Sequence, residues 1–276
     1  MRTDLRFLLT FALLLSLPSQ GAGLPGDHFA VSPVVIEGEG ASGATLALDY
    51  SLRGVMFKKI FSGDAGNEAL TPEAVANAVG GSLVVGYKGQ GTFAASAEKN
   101  PRNLVDLLVD AQLLYSSGRG TVSGGAFLKY EADQSFRNKQ AVYGGRLTAG
   151  KMGLLATTDV LVLDANYGRV DPTTDKGRSQ ALNDANPRPY YRWDFEALYM
   201  YPLKFKPFES LELNYRHYRE VNAPDAIKIV NMDTSTLRTV RLGLSKDLFI
   251  AYSKGNLPFD KTSDKIFEVG FSYKLQ

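Results

Sequence analysis

Along most of the chain, apolar and polar side chains alternate one for one. In 191–201 the odd positions Tyr191, Trp193, Phe195, Ala197, Tyr199 and Tyr201 are apolar or aromatic, and Arg192, Asp194 and Glu196 stand between them. In 104–115, Val105, Leu107, Val109, Ala111, Leu113 and Tyr115 oppose Asp106, Asp110 and Gln112. Successive side chains of a β-strand point to opposite faces, so such a pattern predicts strands with one greasy and one polar wall. Further segments predicted as strands are 44–53, 82–96, 120–131, 140–149, 153–168, 208–220, 235–245, 246–254 and 265–275. Residues 29–38 give a less regular first strand, because Pro33 removes a backbone donor. Asp159 and Asp164 fall on opposite faces of 153–168, which points to a bulge there.

The connections also alternate. The links 116–120, 149–152, 203–207 and 245–247 are short, whereas 97–103, 131–139, 167–189, 220–236 and 255–264 are long and polar. Residues 53–81 break this rule. They include Thr71-Pro72-Glu73, with an N-cap threonine, proline at the first helical position and Gly80 at the end, so the expectation is one short helix near 71–79. It would cap one mouth or fold inward as a plug. A second arrangement takes 55–61 as a strand and 24–42 as a tail.

The last residues, 265–275, separate Phe267, Val269, Phe271, Tyr273 and Leu275 from Ile266, Glu268, Gly270, Ser272 and Lys274. They are long enough to cross a bilayer as a tilted strand. The spacing Glu268, Gly270, Tyr273, Leu275 resembles the terminal signal of bacterial outer-membrane β-barrel proteins, of the twelve-strand, porin-like size. The chain departs from that pattern by ending Leu275-Gln276 instead of on an aromatic residue. The resemblance implies an all-β fold: a single antiparallel transmembrane barrel of about 12 strands in the bacterial outer membrane. It also implies short turns on the periplasmic side and long loops outside. A soluble barrel or sandwich would show the same alternation with the greasy face inward. The heavily charged polar walls and the aromatics near strand ends favour grease outward.

Residues 1–23 read as a signal peptide: Arg2 and Arg6, an apolar run over 7–17, then small residues. The barrel would occupy 24–276. No apolar run is long enough for a membrane helix. Lys and Arg number 31 against 29 Asp and Glu, so no nucleic-acid footprint is present and none is expected among the partners. With no cysteine in the chain, disulfides, thiolate metal sites and cysteine nucleophiles are excluded.

Candidate chemistry is sparse. His217 sits on the outward face, and Arg219 stands where an outer-membrane phospholipase would carry its serine nucleophile, so a lipid hydrolase is the weakest reading and the chain is read as a non-enzyme. Asp171 and Asp175 lack the ligand alternation of a calcium loop. Gly86, Gly89 and Gly91 lie within a strand, where glycine marks a close approach. Neither cofactor nor metal is expected. The inward charges carry the functional reading: Lys88, Asp106, Asp110, Arg146, Arg192, Asp194, Glu196, Glu212, Arg216, Arg241 and Glu268 would line a narrow channel for small polar or charged solutes. The alternative is a non-conducting barrel that serves an envelope assembly. Expected partners are outer-membrane lipid and lipopolysaccharide, the barrel-assembly machinery through the terminal strand, and an envelope protein through 54–81 or the long loops.

Overall fold

The computed structural model describes residues 28–38, 44–62, 80–95, 102–244, 248–260, 264–271 and 273–275, with the backbone alone at 28, 62, 264 and 273–275. The strands are β1 (His28–Gly38), β2 (Thr45–Ser62), β3 (Gly80–Ala94), β4 (Val105–Ser117), β5 (Gly120–Ala132), β6 (Lys139–Met152), β7 (Val160–Thr174), β8 (Tyr190–Phe205), β9 (Phe208–Val221), β10 (Thr234–Gly243), β11 (Leu248–Gly255), β12 (Asp264–Phe271) and β13 (Tyr273–Leu275). The last two are pieces of one terminal strand. Both pair with β1, Val34 opposite Gly270 and Phe29 opposite Leu275. Each other strand is antiparallel to its sequence neighbours, so the sheet is a closed twelve-strand up-and-down barrel. Closure leaves no sheet edge, which is the condition for strands to live in lipid.

The register sorts the walls. Asp106 faces Glu131, Gln140 is beside that pair, Asn166 faces Asp194, and Glu196 faces Arg216, all on one side of the sheet. Leu107, Leu128, Tyr143, Tyr167, Trp193 and Leu213 occupy the other. The solvent-accessible surface tells which side is outside: Trp193 is 52% and Phe267 49% exposed, whereas Arg192 is 4% exposed. A water-soluble barrel would reverse those numbers. The outward face is apolar over most of its height, and the barrel is of the outer-membrane type.

The interior is not uniformly polar. Val34, Ile36, Phe249, Ala251 and Ile266 make an apolar cluster inside the wall of β1, β11 and β12. Leu108, Phe127, Val142 and Val170 make a second. Two glycines show why side chains of this size fit. A Cβ on Gly270 would come within 2.9 Å of the Phe249 ring, and one on Gly168 within 3.0 Å of the Phe127 ring.

One end of the barrel carries the tight links 118–119, 206–207 and 244–247, and also 153–159, which is longer than the turn expected over 149–152 because β6 runs on to Met152 and β7 starts only at Val160. β2 ends and β3 begins at this same end; residues 63–79 between them, and with them the helix expected near 71–79, lie outside the described residues. The other end carries the remaining connections, most of them longer, although 133–138 is shorter than 153–159. Here the sequence missed two helices, α1 (Lys176–Leu182) and α2 (Asp225–Ile229). Asp175 caps α1, its carboxylate accepting the Arg178 amide at 2.9 Å, and is buried there.

The first strand is 28–38, and residues 55–61 continue β2 past a register shift at Val55/Phe57. The strand expected over 153–168 begins only at Val160. Asp159 belongs to the preceding turn, where it accepts the amides of Leu154 and Leu155 at 2.8 and 2.7 Å and the Tyr199 hydroxyl at 2.6 Å. No bulge is therefore needed between Asp159 and Asp164: the pairing of β7 with β8 runs without a shift, and the irregularity of β7 lies at its far end, where Lys139 faces Thr174 and Gln140 faces Pro172.

Candidate functional site: the ion-paired lumen

The side chains that alternation aims inward meet across the barrel. Lys88 on β3 reaches Glu196 on β8 at 2.8 Å, and Glu196 also accepts from Arg216 Nε at 3.1 Å and Asn214 Nδ2 at 3.0 Å. Arg216 donates in turn to Gln90, tying β9 back to β3. Lys129 lies between Glu131 and Asp194, 2.7 Å from each. Arg192 bridges the same two acids, with Nη2 at 2.8 Å from Glu131 and 2.9 Å from Asp194. Arg146 forks onto Asp164 at 2.9 Å and takes Asp110 at 2.5 Å. The forked guanidinium geometry favours such two-acid bridging over the point charge of lysine.

The inner charges expected from alternation all fall on the inward face by register. Those in the middle of the wall are brought together. Glu212 and Arg241 face each other on β9 and β10 away from that cluster, and the Arg241 guanidinium stacks on Phe249 at 3.6 Å.

Several members of the network were missed. Lys129 and Glu131 alternate with Leu128 and Tyr130 and were legible in principle. Asp164 was misassigned with its strand. Arg102 and Arg178 could not be found by alternation, because they come from the loops. Arg102 enters the mouth from the β3–β4 connection and bonds Glu268, Ser253 and Asp49. Arg178 points from α1 to Glu220, with two contacts of 2.6 and 2.7 Å, and lies 4.0 Å over the Tyr190 ring. Burial works against the Arg178 charge, and Glu220 more than offsets it, so its pKa is raised. Beside it, Leu104, Leu257 and Phe259 from the loops pack on Tyr218 and Leu237. The long connections thus fold into the barrel mouth.

Between these groups, at mid-height, lies a cavity of about 40 Å³. That is room for a few waters and far too little for a sugar.

His217 faces outward, and its Nδ1 lies 2.9 Å from the Thr236 hydroxyl. Thr236 lies directly opposite on β10. Among the described residues no carboxylate orients the ring, so the relay that activates a hydroxyl nucleophile is incomplete.

No family model and no curated protein matches the chain. Solved structures do. One is OccK11 (OpdR) of Pseudomonas aeruginosa, at 9% identity over 91% of this chain and 96% of that one, with a TM-score of 0.38. Another is the COG4313 outer membrane channel from Pseudomonas putida F1, at 11% identity over 94% and 99%, with a TM-score of 0.36. A third is the translocator domain of autotransporter NalP from Neisseria meningitidis, at 12% identity over 99% and 96%, with a TM-score of 0.28. The superpositions are loose, and the membrane assignment of this chain rests on its own two faces.

Proposed function

We propose that this barrel is a narrow, charge-lined channel of the bacterial outer membrane for small polar or charged solutes. The observation that carries the reading is the belt of charged side chains around a mid-height cavity, Lys88 of β3 reaching Glu196 of β8 and Arg146 of β6 holding Asp110 of β4 and Asp164 of β7. A purely structural barrel is more cheaply filled with apolar side chains, since desolvated ion pairs often stabilise no better than hydrophobic ones. The cavity has room for water or a small ion, and larger solutes require the pairs around it to part. Planar-bilayer recordings of the folded protein test the proposal. Discrete conductance steps are expected, and Arg216→Ala, which removes one bridge between β9 and β3, is expected to enlarge them. Silence at every voltage in bilayers holding folded protein rejects the reading.

One observation favours a second reading, a non-conducting barrel that anchors an envelope partner. Arg102, Arg178 and Leu257 come from connections and close the mouth with buried contacts. This version expects no conductance and co-purification of a partner after mild solubilisation.

A further inference from the structure

We infer that the mid-lumen cavity binds one small monovalent cation: sodium, potassium or ammonium. This rests on the channel reading above and names the solute class that the path prefers.

The argument is a balance of charges. Five cations, Lys88, Lys129, Arg146, Arg192 and Arg216, pair with five carboxylates, Asp110, Glu131, Asp164, Asp194 and Glu196. That network is neutral. Asp106 lines the same cavity and stands outside it. It is 6% exposed, and its carboxylate is held by the neutral Gln90 amide at 3.1 Å; no ion pair reaches it among the described residues. Among the described residues, Asp106 is therefore the one carboxylate lining the cavity that stands in no ion pair.

A second observation is independent of charge. Asn166 is 9% exposed, lines the cavity, and its Oδ1 has no hydrogen-bond partner. Buried polar atoms are nearly always partnered. The two under-partnered groups of the cavity are both oxygen acceptors, a carboxylate and an amide carbonyl, which is the chemistry that replaces a cation's hydration shell.

Size and charge narrow the class. The volume of about 40 Å³ admits a bare or singly hydrated ion and excludes choline. A single carboxylate outside any ion pair, flanked by Lys88, Lys129 and Arg146, penalises a divalent ion. Among the described residues, no three His, Asp or Glu side chains converge to hold a metal ion of higher charge.

The test is the reversal potential of the purified full chain in planar bilayers, under a potassium chloride gradient and then with potassium replaced by sodium, ammonium or choline. The expected results are a preference for potassium over chloride, comparable passage of sodium and ammonium, and exclusion of choline. In Asp106→Asn the potassium-to-chloride permeability ratio falls by at least about fivefold, the effect of one unit charge about 4 Å away even at the dielectric of bulk water. Asn166→Leu lowers cation conductance, and the outward-facing Arg219→Gln leaves both quantities unchanged. Anion preference, no preference in the unmodified protein, or an unchanged ratio in a folded Asp106→Asn overturns the cation site and leaves the channel standing. Absence of conductance overturns the channel and this inference with it.

Discussion

At the scale of single residues, the groups that fix this barrel most tightly are carboxylates with several donors. Asp133 accepts the amides of Arg137 and Asn138 at 2.9 and 3.1 Å and the Ser135 hydroxyl at 3.0 Å, and so sets the turn between β5 and β6. Asp159 does the same at the opposite end. Burial pushes its pKa up, but the Tyr199 hydroxyl and the amides of 154–156 outweigh that and hold it at about 2. The unfolded carboxyl titrates near about 3.9, so the depressed folded value makes Asp159 stabilising above about pH 4. The contribution is lost as pH falls through that value toward 2. Asp159→Asn is therefore expected to unfold more readily than the unmodified protein at pH 7, with the gap closing between about pH 5 and pH 2. Urea titrations of vesicle-reconstituted protein at several pH values measure it. Alternation marked Asp159 as a strand residue facing the wrong way; the true signal was its run of neighbouring amides, which only the folded turn reveals.

At the scale of elements, strands were legible and loops were not. A strand's period of two is written locally, and a one-residue slip would turn every charged side chain of β4 or β8 into lipid, so register is strongly enforced. The helices α1 and α2 have 7 and 5 residues, too short to carry a periodic signal. Their placement depends on what lies beneath them. Arg178 is the clearest instance: its ion pair with Glu220 joins α1 to the inside of β9. Removing one member of a buried pair strands the other, so Arg178→Ala should destabilise by about 3–5 kcal/mol, whereas Arg178→Ala with Glu220→Gln should recover part of it. The tryptophan fluorescence of the unfolding transition follows both variants. Equal stability of the two would show that the mouth is held by other contacts, the Leu104, Leu257 and Phe259 cluster first among them.

At the scale of the whole molecule, one orientation organises everything: apolar side chains toward lipid, ions toward the middle. The chain has a single tryptophan, Trp193, on the outward face against Tyr167, with ring centroids 4.7 Å apart. Its fluorescence in vesicles is expected to be quenched strongly by brominated lipids and weakly by aqueous iodide. The reverse result would mean that the greasy wall does not face the bilayer. The strands and their two faces are legible in the amino-acid order, because alternation is a local property that each segment states on its own. The links sorted by length only in part, since 153–159 is longer than 133–138 and β2 and β3 meet at the end of the tight turns. Which charges meet, the entry of Arg102 and Arg178 into the mouth from the loops, and the placing of Asp106 and Asn166 on one small cavity emerge only when the barrel closes. The physical reason is that pairing across the lumen joins residues more than a hundred positions apart, such as Lys88 and Glu196. Which carboxylate finds a cation depends on barrel width, strand stagger and side-chain reach, and none of these is encoded in any one segment.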